Sequence, residues 1–437
     1  MSDTIYWIWL SLCLTPGSGQ LHYLLDRYSS AYDIFRAEEE ELERLELSKR
    51  LINALCNKDM TEAYAINDYC ASHKIGIISY EHEFYPGKLK LISNPPAVLY
   101  FRGTFPRFND RLALGIVGTR KMSEYGKKMA YKIAYELASA EAIIVSGMAL
   151  GNDAVAACGA ISAGGKTVAV LGTGVDVVYP PEHSKLYERI IENGCVISEY
   201  PPTTAAIANH FPQRNRIISG ICSGTLVIEG DLDSGSMISA SCAIEQGRDV
   251  FAVPGNVNDK NSEGPNKLLR EGAIIASCAD DILREYEFYY GKSLNYLALS
   301  MARGHSDINE EALRSMNICT EGYGLGKKGL KKKIEDPENL LPPRKIPKRQ
   351  EKEELPTTLS ASESKNEKPR SMTADEEYAS LDEIERGILL AMPDDRAVSV
   401  DEIARSGFEC SSIMGTMAIL EIKGFVSSLP GGLYIKL

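Results

Sequence analysis

Three short segments of this 437-residue chain have the residue types and spacing to hold an anion. Gly118-Thr119-Arg120-Lys121 follows the apolar run LALGIV, Arg214-Asn215-Arg216 comes just after Phe211-Pro212, and Ser234-Gly235-Ser236 stands beyond TLVIEG. Ser146-Gly147 ends a further apolar run in the same manner. Arginine makes charge-assisted contacts to phosphate oxygens. Glycine lets the backbone come close to a ligand, and the free amides of a helix N-terminus attract negative charge. The chemistry expected of these residues is phosphate binding without bond making.

Patterns that would indicate catalysis fail on context. Residues 160–167 (AISAGGKT) approximate a P-loop, but Lys166 leads into a strand instead of opening a helix. GTGVDV at 172–177 lacks the third glycine of a dinucleotide fingerprint. There is no G-x-S-x-G elbow, and the six histidines form no H-E-x-x-H. The ten cysteines are scattered singly, without C-x-x-C, which predicts reduced thiols, no metal site and a cytoplasmic setting. No cofactor is expected.

Such loops need a rigid frame. Strand candidates are LALGIVG (112–118), AIIVSG (142–147), TVAVLG (167–172), CVISEY (195–200), TLVIEG (225–230), DVFAVPG (249–255) and AIIAS (273–277). Short apolar strands alternating with helix-length segments predict an α/β fold, a doubly wound parallel sheet covered on both faces. In such a sheet ligands bind outside the carboxyl ends of the strands, which is where the anion-holding segments fall. The sheet domain is expected over 77–290.

The flanks read differently. Residues 1–76 predict a small helical domain; within it LTPGSGQ (14–20) resembles the turn of a helix–hairpin–helix, for which a structural or docking role is expected. The apolar run Ile5–Leu14 is about half the length that crosses a bilayer, and no basic region precedes it, so a buried helix is expected and no membrane span. Residues 291–377 combine extra helices with a linker, 327–376, whose lysines, prolines and serines predict disorder. Residues 378–437 predict a winged helix: the amphipathic LDEIERGILLAM, a capping box at Ser399–Glu402, a third helix over 411–423 and the hairpin FVSSL-PGG-LYIKL. With five basic residues against nine acids, this last domain is expected to dock protein rather than read a duplex.

The net charge of −12 argues against coating nucleic acid through bulk charge. One stretch departs from it: between Arg102 and Lys132 eight basic residues face two acids. In the helix that opens near Pro212, two arginines two positions apart point about 200° from each other. One can face the rim while the other pairs inside, with a carboxylate such as Glu199 or Glu229 as partner. Tyr179, Tyr200 and Phe211 flank the same loops, as stacking platforms for unpaired bases or as core.

FPQRNRIISG, SGSMISASCAIEQGRDVFAVPGN and GPNKLLREGA, with VGTRK, SGMALGNDA and GGKTVAVLGTGVDVVYPPEH, closely resemble the DNA-processing protein A (DprA, or Smf) family over about residues 80–285. The resemblance implies an extended Rossmann-like core and a non-catalytic bacterial protein. Such a protein protects single-stranded DNA, dimerises and loads a RecA-type recombinase in natural transformation. It implies a nucleic-acid site at Gly118, Thr119, Arg120, Lys121, Ser146, Gly147, Arg214, Asn215, Arg216, Ser234, Gly235 and Ser236. The chain departs from the family at Ala157, where a histidine is common, and at Asp233, where a basic residue is common. A second reading is a nucleotide phosphoribohydrolase-like enzyme of related fold; the stretch CSGTLVIEGDLDSGS lacks that group's P-G-G.

Overall fold

The computed structural model describes residues 3–318 and, nearer the C terminus, 386–389, 392, 398–399, 403, 413, 416, 420, 425–429 and 433–436. The chain divides into two compact units, Met1–Lys345 and Ile346–Leu437.

The first unit opens with helices α1 (Thr4–Cys13), α2 (Gln20–Leu25), α3 (Ala31–Arg36), α4 (Glu39–Glu43), α5 (Lys49–Cys56) and α6 (Thr61–Ser72). Strand β1 (Gly76–Ser79), helix α7 (Gly87–Lys90) and strand β2 (Val98–Gly103) follow. The alternating part then runs β3 (Ala113–Val117), α8 (Glu124–Ser139), β4 (Ile143–Ser146), α9 (Asn152–Ser162), β5 (Thr167–Val170), α10 (Ser184–Asn193) and β6 (Cys195–Ser198). It continues with α11 (His210–Ile221), β7 (Gly224–Val227), α12 (Gly235–Glu245), β8 (Asp249–Ala252), α13 (Glu263–Arg270) and β9 (Ile274–Ile275). Helices α14 (Ala279–Tyr290), α15 (Tyr296–Ala302) and α16 (Glu310–Ser315) end the described part of this unit.

The nine strands form one sheet in the order β1-β2-β6-β5-β4-β3-β7-β8-β9. The seven strands expected from their apolar runs pair in parallel throughout. The expectation of a wholly parallel sheet is corrected at one edge, where β1 and β2 pair antiparallel with each other and β2 pairs antiparallel with β6.

Alternation along each strand divides the core between the two faces. Leu114, Ile116 and Ile144 pack on one side with Ala134, Leu137 and Val155 from α8 and α9. Ala113, Val117, Ile143 and Val145 pack on the other with Ile217, Ile218 and Ala240 from α11 and α12. The N-terminal helices join the first of these cores: Trp7, Trp9, Ile34 and Leu55 are buried in the same cluster. Each indole also finds a polar partner, Trp7 donating to Glu81 at 3.3 Å and Trp9 to the Asn57 carbonyl at 3.2 Å. Residues 1–76 and the sheet therefore share one hydrophobic interior.

The turn at 14–20 faces inward. Asn94 Nδ2 donates to the Gly17 carbonyl at 3.0 Å, and a Cβ at Gly17 would lie 3.5 Å from Arg216 Nε. These contacts tie the turn to the sheet part of the same unit.

In the second unit, β10 (Val398–Ser399), β11 (Val426–Leu429) and β12 (Leu433–Lys436) form a three-stranded antiparallel sheet. The expected hairpin is β11–β12. Ile388, Leu389, Ile403, Ile413, Leu420 and Val426 form its buried cluster. Ser399 pairs with Leu433 as strand; the rest of the capping box, most of the three helices and the linker at 327–376 lie outside the described residues. Among the described residues no helix is long and apolar enough to cross a membrane.

Candidate nucleic-acid interface

From β3 the chain runs outward through β4, β5 and β6, then returns to place β7 on the other side of β3. The order therefore reverses at β3, and the crevice beyond its carboxyl end is the expected ligand position in such a sheet. An open cleft of about 620 Å³ lies there.

The loop after β3 forms one wall. The Thr119 N–H donates to the Glu229 carbonyl at 2.8 Å, and the Gly118 N–H to Asp153 Oδ1 at 3.3 Å. Ser123, the N-cap of α8, donates its N–H to Glu229 Oε2 at 2.9 Å and its hydroxyl to Oε1. A buried carboxylate thus pins the far end of the loop. Opposite, Gly151 adopts φ +82°, and a Cβ there would stand 2.4 Å from the Thr119 carbonyl, so the two loops meet at a distance only glycine permits. Held at both ends, the loop carries Arg120 exposed at its tip on the cleft wall. The Arg120 side chain makes no hydrogen bond or ion pair among the described residues. Lys121 is also exposed but does not line the cleft.

Arg214 and Arg216 part company as two residues at that helical spacing must. Pro212 sits in the first turn of α11, where its missing N–H costs nothing. Arg214 lines the cleft floor, almost fully buried. Its Nη1 donates to the Gly147 carbonyl at 2.9 Å and to that of Val170. Beside it Asp153 accepts the Gly147 N–H at 3.0 Å. Burial raises the Asp153 carboxyl above the ordinary carboxylate range, with Arg214 and the two N–H donors opposing. Burial likewise pulls the Arg214 guanidinium down to about 10, still protonated at neutral pH. Arg216 lies outside the cleft lining: it is buried, ion-paired with Glu199, and donates to the Asn94 carbonyl at 2.7 Å. Glu199 is the expected internal partner; Glu229 pairs with no arginine among the described residues and holds the Arg120 loop instead.

Ser146 and Gly147 are buried supports of this wall. The Ser146 hydroxyl donates to the Asp153 carbonyl at 3.2 Å. A Cβ on Gly147 would come within 2.5 Å of both terminal nitrogens of Arg214. Gly147→Ala is expected to lower the unfolding free energy by about 1–3 kcal/mol, the range for overpacking a filled interior. Chemical denaturation measures it; an unchanged midpoint would mean that Arg214 moves aside freely.

Ser234, Gly235 and Ser236 form the third wall at the N-terminus of α12. The two hydroxyls are 2.7 Å apart, Ser236 donates to the Glu229 carbonyl at 3.3 Å, and Asn215 Nδ2 donates to the Gly235 carbonyl at 3.3 Å. Asp231 lines the cleft and stands 3.8 Å from Lys260, whereas Asp233 is exposed outside it. Tyr179 and Phe211 both reach the cleft, with ring centroids 5.0 Å apart. Tyr200 does not: it is buried, stacked on His210 at 3.9 Å and bonded to Gln213.

The basic stretch is largely neutralised in space. Arg107, Arg111, Lys127 and Lys132 pair with Asp110, Glu141, Glu310 and Glu136, and Arg102 donates to Tyr187 Oη at 3.2 Å. Arg120, Lys121 and Lys128 form no ion pair among the described residues. Sequence reasoning missed Asp153; an acid in the first turn of a helix was its signal. The cleft brings together one exposed cation, one buried cation, the amide end of a helix and two aromatic rings. Of its two carboxylates, Asp153 accepts backbone amides beside Arg214, and Asp231 has an exposed 3.8 Å contact with Lys260.

The family model "DNA recombination-mediator protein A" matches residues 76–287, and the model "DprA winged helix domain" matches 372–432. The DNA processing protein DprA of Streptococcus pneumoniae is 41% identical over 209 residues, 47% of this chain and 72% of that protein. Its Bacillus subtilis counterpart is 40% identical over 211 residues, 48% of this chain and 71% of that one. The X-ray structure of DNA processing protein A from S. pneumoniae superposes with a TM-score of 0.57 at 31% identity, covering 66% of this chain and 99% of that one.

Proposed function

This chain belongs to the DNA-processing protein A (DprA/Smf) family, and from that premise we propose that it binds single-stranded DNA in the cleft beyond β3, without catalysis. The observation that carries the reading is Arg120, an exposed cation on a doubly pinned loop, facing a helix N-terminus and an aromatic pair. Phosphates go to the arginine and the amides. Bases turn to Tyr179 and Phe211, which suits an unstacked strand and not a duplex. Gly118, Thr119, Arg214, Asn215, Ser234, Gly235 and Ser236 complete the binding wall. Ser146, Gly147 and Arg216 act from behind it, and Lys121 continues its edge.

The partners follow from the same premise. The protein is a cytoplasmic homodimer that protects incoming DNA and passes it to a RecA-type recombinase in transformation; the family description as a recombination mediator supports the last step. Of the regions 1–76, 77–290, 291–377 and 378–437, the second takes DNA and the last docks protein.

Binding of labelled single- and double-stranded oligonucleotides of equal length tests the proposal. Single strands should bind more tightly, with little sequence preference and an affinity that falls steeply with salt. Equal affinity for duplex would remove the stacking argument. Release of free base from nucleoside monophosphates would favour the phosphoribohydrolase reading instead.

A further inference from the structure

The surface beside Arg120 continues onto a neighbouring loop. Asn261 Nδ2 donates to the Lys121 carbonyl at 3.0 Å, and the Asn261 carbonyl accepts the Gly230 N–H at 2.7 Å. These bonds tie the loops after β3 and β7 to the loop after β8. Tyr125, in the first turn of α8, reaches the same loop: its hydroxyl donates to the Pro254 carbonyl at 2.8 Å. The ring is thereby fixed while the residue stays 45% exposed, and Val257, three positions beyond Pro254, is 82% exposed.

The tied loops also carry charge: Lys121 precedes Tyr125 by four positions, and Lys260 adjoins Asn261. The Lys121 ammonium has no partner among the described residues, and Lys260 has only the exposed 3.8 Å contact with Asp231, which solvent screens. Three acids adjoin: Asp231 at that contact, the exposed Glu124 at 3.6 Å from Lys127, whose shorter ion pair is with Glu310 at 2.7 Å, and Asp259, which accepts the Asn261 N–H at 2.9 Å. A single exposed tyrosine or valine is ordinary surface. An aromatic face held by its polar end, on loops that carry the exposed Lys121 and Lys260, suits unpaired bases.

We propose that Tyr125, Val257, Lys121 and Lys260 form a second subsite for single-stranded DNA, taking the nucleotides that run on from the cleft. A base lies on the Tyr125 ring, and the adjoining phosphates meet the two lysines. The inference rests on the cleft being the primary DNA site.

Fluorescence anisotropy with oligodeoxythymidylates of about 4 and about 16 nucleotides, the span of single-strand site sizes, tests it. Tyr125→Ala should weaken binding of the long oligonucleotide about tenfold, as expected for one lost stacked base, and leave the short one unchanged. Tyr125→Phe, which keeps the ring but loses the bond to the Pro254 carbonyl, should lose less than Tyr125→Ala on the long oligonucleotide and leave the short one unchanged. Lys260→Glu, on an exposed side chain, should repeat the length-dependent loss with the fold intact. Wild-type affinity of Tyr125→Ala and Lys260→Glu for the long oligonucleotide would overturn the subsite, as would equal losses at both lengths. Arg120→Ala separates the two readings: it should weaken both lengths, and if it weakens neither, the cleft assignment itself fails.

Discussion

Arg216→Ala should lower the unfolding free energy by about 3–5 kcal/mol, the cost of leaving a buried charge without its partner. Glu199, nearly inaccessible to solvent, would keep its carboxylate facing an apolar interior, and its Oε1 already lacks a hydrogen-bond partner. The same substitution removes the hydrogen bond to the Asn94 carbonyl, and Asn94 in turn holds the Gly17 turn of the N-terminal helices. Loss should therefore spread to the junction between α1–α2 and the sheet. Chemical denaturation gives the free energy, and hydrogen exchange in residues 14–20 reports the junction. The double variant with Glu199→Gln should recover part of the loss, because it removes the orphaned charge. A stable Arg216→Ala protein that binds DNA poorly would instead make Arg216 a direct ligand.

Arg120→Ala should do the reverse. Single-strand affinity is expected to fall by about 1–3 kcal/mol, the range for a lost charge-assisted hydrogen bond. The melting temperature should stay within error, because the exposed side chain makes no hydrogen bond or ion pair among the described residues. Arg120 also lies close enough to Arg214 for their like charges to repel. It also attracts the Asp153 carboxylate, so the two effects oppose each other and little net change in stability is expected. A variant that loses stability while binding DNA normally would contradict its assignment.

These two arginines mark how far the sequence can be read. The β-branched runs between helix-length segments identified all seven parallel strands, and their order put the glycine loops at the ligand-binding end. Gly76–Ser79 escaped because four residues carry too little pattern, and Val98–Gly103 because it follows Pro95-Pro96 and shows no alternation. Helical spacing predicted that Arg214 and Arg216 would face apart, but only tertiary contacts decide which one meets Glu199. The basic stretch misled by its local count: Lys127 is neutralised by Glu310, 183 positions later, and Arg111 by Glu141, 30 positions later. Tyr200 read as either platform or core because its loop is at the rim, and it is core: buried, with His210 stacked on its ring. Distant pairing of this kind leaves no trace in a window of neighbouring residues.

The central claim is that the strand lies in the cleft beyond β3. Photocrosslinking of an oligodeoxythymidylate carrying 5-iodouracil, followed by mass spectrometry of the peptides, tests it directly. The account predicts adducts on Tyr179 and Phe211, lost when unlabelled single strand competes and retained when duplex does. Adducts confined to residues 378–437, or to the exposed Phe288 and Tyr289 of α14, would contradict it.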